Sequence, residues 1–458
     1  MRTLPGRLLA GASLLLLAAC GEKSILPSGS DVGLQPVIKE PVKTTIPTVD
    51  IAPAKGWPSG SGPAPAAGLA VNAFATALDH PRWLYVLPNG DVLVAETNAP
   101  ERPEEYKGIK GWIMKKVMKK AGAAVPSANR ISLLRDADGD GVAELKRVFI
   151  KNLNSPFGMA LVGDTFYVAN TDGIVRFAYK EGMTEITAAP QPVAPLPGGP
   201  LNHHWTKNII ASKDGTKLYA TSGSNSNVAE NGMDKEVDRA AILEVDLATG
   251  KSRLFASGLR NPNGLAWNPT TGALWTVVNE RDELGSDLVP DYLTSVKDGG
   301  FYGWPYSYYG KHVDARVKPP RPELVEKAIV PDYALGAHVA ALGLAFYEAA
   351  LLPQFAGGAI IGEHGSWNRT PLSGYKVVFV PFRDGRPAGE PIDFVTGFMG
   401  EDGKTRGRPV GVTVDPRGAL IIADDLANVI WRVAPEAPVA VPMPGVARDG
   451  AAANQAAE

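Results

Sequence analysis

Six times along this chain an apolar strand, a short turn and a second apolar strand follow one another. The copies read WLYVLPNGDVLVAE from Trp83, GMALVGDTFYVAN from Gly158, NIIASKDGTKLYATSG from Asn208, GLAWNPTTGALWTVVNE from Gly264, GLAFYEAALLPQFAGGAIIGEHG from Gly343 and VGVTVDPRGALIIADD from Val410. Alternating apolar positions bounded by Gly, Pro, Asn and Asp are the mark of hairpins rather than helices. A spacing of roughly 50 to 80 residues leaves room for one or two further strands per unit, which suits propeller blades better than a sandwich. The pattern predicts an all-β fold, a six-bladed β-propeller. Such a ring gathers loops from distant parts of the chain around one end of a central channel.

The ends of the chain read differently. Arg2 and Arg7 precede the short apolar run LLAGASLLLLAAC, which is too short to span a bilayer and closes on small residues before Cys20. Residues 1–20 are expected to be an export signal. Leu17-Ala18-Ala19-Cys20 resembles the bacterial lipobox, in which the cysteine becomes the acylated first residue of the mature chain; the other reading is an ordinary signal peptide cut nearby. Acyl chains contribute about 0.8 kcal/mol per buried methylene to membrane binding. With Gly21 rather than an acidic residue next, the anchor is expected in the outer membrane, and the protein in the periplasm of a Gram-negative bacterium. Cys20 is the only cysteine, so no disulfide forms within the mature chain. Residues 21–68, rich in Pro, Ser and Gly, are expected to be a flexible tether, 69–435 the propeller, and 436–458 a disordered tail. With 46 basic and 48 acidic residues and no basic stripe, nucleic acid is not an expected partner, and membrane contact is expected through the lipid anchor only.

Side chains able to carry chemistry cluster where strands begin and end. His203 and His204 stand in the loop leading into the third hairpin, and an imidazole titrating near neutrality is the usual base for a hydroxyl proton. The residues alone leave open which of the two is used, or whether one merely packs on Trp205. Arg260 and Asn261 open the fourth hairpin, Arg406 and Arg408 flank a glycine ahead of the sixth, and His364, Trp367, Asn368 and Arg369 follow the fifth. Gathered on one face, these would line a pocket with an aromatic wall, suited to a flat ligand with several carboxylates. Glu280 and Asp282, in NERDELGSD, offer oxygen ligands of the kind hard cations take. Asp136, Asp138 and Asp140, with Glu144 beyond, have the DxDxDG spacing of a calcium loop, but Arg147 stands where an EF-hand would need its last glutamate.

The ordered set HHWTKN, GLRNPNGLAW, NERDELGSD, DGGFYGWPY, GEHGSWNR and RGRPVGV resembles the glucose/sorbosone dehydrogenase family of quinoprotein sugar dehydrogenases, over about residues 70 to 435. The resemblance implies pyrroloquinoline quinone (PQQ) bound over the channel beside a calcium ion, with the quinone accepting hydride from a sugar. It implies that the third-blade histidine is the general base; His204 is the first choice, with His203 kept. Arg260 and Asn261 match an Arg-Asn pair beside the cofactor, and Arg406 and Arg408 match arginines that hold the quinone carboxylates. Lys207 stands where an arginine is common. Backbone carbonyls near Arg281 and Asp282 take the place of the family's calcium ligands, where a Gly-Pro pair is usual. No Cys-x-x-Cys-His haem motif occurs, so an external electron acceptor is implied, a cytochrome or a membrane quinone. Two other readings compete: a calcium-dependent propeller hydrolase of the lactonase kind, and a propeller that only binds partners.

Overall fold

The computed structural model describes residues 22–42, 48–100, 120–122 and 125–436; the proposed signal, Cys20 and nearly all of the C-terminal tail lie outside them. The fold is a six-bladed β-propeller with almost no helix among the described residues. Blade 1 runs Pro81–Val86, Val92–Glu96, Arg130–Arg135 and Leu145–Ile150. Blade 2 runs Met159–Val162, Thr165–Ala169, Gly173–Ala178 and Gln191–Pro195. Blade 3 uses Ile209–Ala211, Lys217–Ser222, Ala241–Asp246 and Ser252–Ser257, and blade 4 uses Asn261–Trp267, Leu274–Asn279, Pro290–Ser295 and Tyr333–Ala337. Blade 5 uses Ala341–Phe346, Ala359–Glu363, Lys376–Val380 and Ile392–Thr396. Blade 6 takes Pro409–Val414, Leu420–Asp424 and Val429–Pro435, and the N-terminal strand Leu69–Ala75 completes it. That last pairing, from Leu69 opposite Pro435 to Ala75 opposite Ile430, closes the ring with the two ends of one chain.

Each repeated hairpin supplies the first two strands of a blade, and the first strands of successive blades touch one another around the channel. The core follows from this geometry. Six apolar clusters lie one between each pair of neighbouring blades; Leu274 and Val278 face blade 3 while Trp275 and Val277 face blade 5. A strand buried on both faces needs apolar residues at successive positions, which is why the second strands read as near-continuous runs such as LIIAD. Close approach of the first strands is bought with glycine: a Cβ on Gly343 would stand 2.3 Å from the Val410 carbonyl oxygen of blade 6. Gly343→Ala is therefore expected to destabilise the fold by about 1–3 kcal/mol, read as a lower denaturant midpoint.

Residues 22–42 and 48–68 are not a loose tether. They form a strap laid along the ring. Val32 and Gly33 pair with Leu335 and Ala334 on the outer edge of blade 4, and Ala64 and Pro65 pair with Thr396 and Val395 of blade 5. Between these, Trp57 packs edge-on against Phe398 and Trp431, and its indole N–H donates to Asp424 Oδ2 at 3.0 Å. Composition misleads here because the strap is held mainly by backbone hydrogen bonds to exposed strand edges and loops, which require no apolar period.

Candidate active site

In each blade's hairpin the start of the first strand lies beside the end of the second: Asn261 is opposite Asn279, Pro409 opposite Asp424, and Pro81 opposite Glu96. Loops at both places therefore open onto the same end of the channel. They enclose a cavity of about 510 Å³ whose two sides differ in chemistry.

One side is cationic and is organised by Asp425, at the end of blade 6. Its buried carboxylate accepts from Arg82 Nη1 at 2.8 Å and from His364 Nε2 at 2.9 Å, and its backbone carbonyl meets His80 Nδ1 at 3.1 Å. Burial pushes Asp425 upward, but His364, His80 and Arg82 outweigh that and hold it well below the usual carboxylate range. Burial also pulls His364 down to about 4, against the pull of Asp425, so at neutral pH it is an uncharged ring donating its Nε2–H. Arg408 completes this side, its guanidinium carbon 5.0 Å from the Tyr375 ring centre. Arg82 Nε, Arg408 Nε and His80 Nε2 are buried without a hydrogen-bond partner.

The opposite side is rich in oxygen. Arg260 is tied down there: Nη1 donates to the Glu280 carbonyl at 2.6 Å, and Nη2 donates to Asp282 Oδ2 and Asn227 Oδ1, each at 3.0 Å. Asn368 donates to the other Asp282 oxygen at 2.7 Å. Asp291, deep in the pocket, accepts from the amides of Glu280 and Ala340, and burial pushes its carboxyl up to about 7. Asn261 Oδ1, Asn263 Oδ1, Glu280 Oε1 and Asn368 Oδ1 are buried acceptors that find no donor in the protein. Unpaired buried polar atoms are costly, so their concentration around one cavity points to a ligand that supplies partners.

His203 and His204 both line the cavity, their rings edge to face with centres 5.1 Å apart. His204 Nδ1 lies 2.7 Å from the Ser224 carbonyl oxygen. A carbonyl only accepts, so Nδ1 carries the hydrogen and Nε2 is the basic nitrogen. A Cβ on Gly223 would stand 2.5 Å from His204 Cβ and 2.3 Å from Asn261 Oδ1, so this glycine lets the two side chains share the site.

The structure brings His203, His204, Arg260, Asn261, Trp367, Glu280, Asp282 and Arg408 together around the pocket. Other expected members lie elsewhere. Arg406 does not line the cavity: residues 406–408 precede the strand at Pro409, so the alternation that would put Arg406 and Arg408 on one side does not apply. Lys207 is fully buried beneath the site, its ammonium 3.3 Å from the His204 carbonyl, where burial lowers its pKa well below the usual value. Arg369 ties down the strap, donating to the Ser286 carbonyl at 3.0 Å and to Ser24 Oγ at 3.1 Å. Arg281 points into the protein, towards Glu280, Asp314 and the carbonyls of Pro305 and Ser307.

At the position expected for calcium, residues 281–282, neighbouring carbonyls are already engaged. The Asp282 carbonyl accepts from Arg316 Nη1 at 2.9 Å and Asn227 Nδ2 at 3.1 Å, and the Glu280 carbonyl is taken by Arg260. Guanidinium and amide groups thus occupy carbonyls that a cation would need. Asp136, Asp138, Asp140 and Glu144 do converge, with ligand atoms within 4.8 Å of one another, but between the outer two strands of blade 1 and away from the cavity. Asp136 there also accepts from Arg417 at 3.1 Å.

The pocket residues that escaped the sequence reading include His80, Arg82, Asp291, His338 and Asp425. The signal existed. His80 stands just before the strand that opens the first hairpin, as Arg260 and Arg408 stand before theirs, Arg82 follows two residues later, and Asp425 ends the sixth copy of the repeat.

Propeller and pocket together define a ring-shaped scaffold with an anion-receptive site at one end of its channel. The chain belongs to the glucose/sorbosone dehydrogenase family: the Glucose / Sorbosone dehydrogenase family model matches residues 168–368, and a TrAA12-like model matches 325–436. A protein of Borreliella burgdorferi described as uncharacterized is 30% identical over 296 residues, covering 62% of this chain and 76% of that one. The aldose sugar dehydrogenase YliI of Escherichia coli is 21% identical over 64% of this chain and 77% of its own. Among solved structures, the PQQ domain of pyranose dehydrogenase from Coprinopsis cinerea superposes with a TM-score of 0.63 at 18% identity, over 84% of this chain and all of that one.

Proposed function

We propose that this protein is a quinoprotein oxidoreductase that oxidises a sugar, or a sugar-derived aldehyde or hemiacetal, with PQQ held in the propeller pocket. The observation that carries the reading is the union, in one cavity, of buried arginines with unpaired Nε atoms and a histidine whose Nε2 is left basic. The relatives described as an aldose sugar dehydrogenase and as a PQQ domain support it.

When bound, the quinone supplies an acceptor for hydride. Arg82 and Arg408 would neutralise its carboxylates, Arg260 and Asn261 would face it from blade 4, and Trp367 would cover it. His204 Nε2 takes the proton of the substrate hydroxyl, and the Ser224 carbonyl steadies the imidazolium through Nδ1–H. No step is assigned to calcium, because the carbonyls of Glu280 and Asp282 already accept from Arg260, Arg316 and Asn227. The reading includes export, acylation at Cys20, a periplasmic location, and electron release to a cytochrome or a membrane quinone.

The test is titration of the purified full chain with PQQ, in calcium and in chelator, followed by dye reduction with a panel of aldoses and sorbosone. Saturable binding in both buffers and sugar-dependent bleaching are expected. Arg82→Ala and Arg408→Ala should each weaken binding by about 10- to 100-fold, the worth of one charge-assisted contact. Quinone affinity unchanged in both variants would overturn the assignment.

A further inference from the structure

We propose that the rim of the pocket is a membrane-contacting surface, seated on lipid so that the cavity mouth faces the bilayer from which the chain is hung. The inference rests on the acylation of Cys20 included in the reading above. A lipoprotein tether ordinarily lets its domain drift from the membrane, because dozens of flexible residues separate anchor and fold. Here that slack is taken up by the strap.

The strap is fastened beside the pocket from its first described residue. The Ser286 amide donates to Glu22 Oε2 at 2.6 Å, and Ser286 Oγ donates to the Glu22 carbonyl at 2.7 Å. The amides of Ile25 and Leu26 and the hydroxyl of Ser24 all donate to the Asp287 carboxylate, at 3.0, 3.3 and 2.5 Å. Residues 284–287 belong to the same loop as Glu280 and Asp282 of the pocket. Farther on, the Val42 amide donates to the Leu284 carbonyl, the Asp50 amide to the Trp367 carbonyl, and Ile51 lines the cavity itself. Cys20 is two residues before Glu22, and two residues of chain span at most about 7 Å, so an anchor at Cys20 would be attached close to the point where Glu22 is fastened to this rim.

That face is prepared for lipid. Ile25 is 71% exposed although both its neighbours are anchored, and Val42, Val49, Val125 and Trp367 are exposed by 38 to 42%. Val125 and Trp367 line the cavity, while Ile25, Val42 and Val49 stand on strap segments tied to the loops that form it. Apolar side chains ringing a mouth, next to an acylated terminus, give the second attachment that stable seating requires. Among the described residues, Lys23, Lys120 and Glu283 give the rim charges of both signs. Of the two acceptor classes, a cytochrome and a membrane-dissolved quinone, this seating gives the second direct access to the site.

Because acylation consumes the only native cysteine, an introduced one is the sole thiol, and a dye can be placed at will. The full-length acylated chain is reconstituted on phosphatidylcholine vesicles containing nitroxide-labelled lipid, with an environment-sensitive dye on Val42→Cys, Val49→Cys or, as control, Val148→Cys on the outer strand of blade 1. The expected result is several-fold stronger quenching at positions 42 and 49 than at 148. Equal quenching at all three, or none at the rim, would overturn the proposal. An N-terminal peptide lacking the acyl mass would overturn it too, and leaves the separate quinone titration untouched. All three positions are exposed, so none of the variants disturbs the core.

Discussion

Replacing Asp425 with alanine is expected to cost about 3–5 kcal/mol of folding free energy, the largest loss from any single substitution in the site. The carboxylate side chain is 2% exposed, so solvent does not screen its partners. Its removal leaves the Arg82 guanidinium buried and uncompensated, and leaves His364 Nε2–H without an acceptor. The sign with pH follows from the same contacts. Asp425 is held below its unfolded value, so its contribution is fully present above about pH 4 and is lost as pH falls through the folded pKa. His364, lowered to about 4 by burial, resists protonation when folded, which costs stability as pH falls from about 6.5 towards 4. Asp291 and Glu363, pushed by burial up to about 7 and about 8, act in the opposite direction: their contribution is present below pH 4 and is lost as pH rises through those values. Urea unfolding of the wild type and Asp425→Ala at pH 7 and at pH 3 separates these effects. The gap between the two proteins should be wide at pH 7 and narrower at pH 3. Asp140→Ala, at an exposed carboxylate outside the pocket, should move the midpoint by no more than about 0.5 kcal/mol in free energy. A gap at pH 7 no larger than that of Asp140→Ala would show that Asp425 is not the keystone of this side.

The ring was legible in the sequence because its physics is local and repeated. Each hairpin carries its own alternation and turn residues, and six copies in series leave few other ways to bury both faces of every strand. His204, Arg260, Asn261 and Arg408 were legible because they stand at the starts of blades. Arg406 was not legible because i, i+2 alternation holds only within a strand, and residues 406–408 precede the strand that starts at Pro409. Arg281 and Arg369 were misjudged for a different reason: an arginine in a loop looks the same whether it meets a ligand or a carbonyl of its own protein, and only the fold shows Pro305, Ser307 and Ser286 waiting as acceptors. The strap is the deepest miss. Residues 22–68 have tether-like composition, yet two two-residue β pairings, the Asp287 carboxylate and one tryptophan suffice to dock segments 22–42 and 48–68 on a body that supplies most of the apolar surface.

His204→Gln should lower kcat by about 10²- to 10⁴-fold, the usual contribution of a positioned base, while leaving the Kd for PQQ within a factor of two or three. Glutamine fills the space and retains a polar end, but it cannot take up a proton at neutral pH. His203→Gln should lower kcat by less than about tenfold, because the Ser224 carbonyl, by holding the hydrogen on His204 Nδ1, assigns the basic nitrogen to the His204 ring. The pH profile adds a readout that a packing role would not move. With His204 as base, kcat/KM rises as that ring loses its proton and then levels off; in His204→Gln that rising limb disappears, and in His203→Gln it remains. Gly223→Ala tests the geometry while leaving the imidazole itself in the chain. Its new methyl would press on His204 Cβ and Asn261 Oδ1 together, so the rate should fall while the pKa of the limb stays in place. A rising limb that survives in His204→Gln and vanishes in His203→Gln would transfer the base to the neighbouring ring, and the Ser224 carbonyl would then serve only to hold His204 as part of the wall.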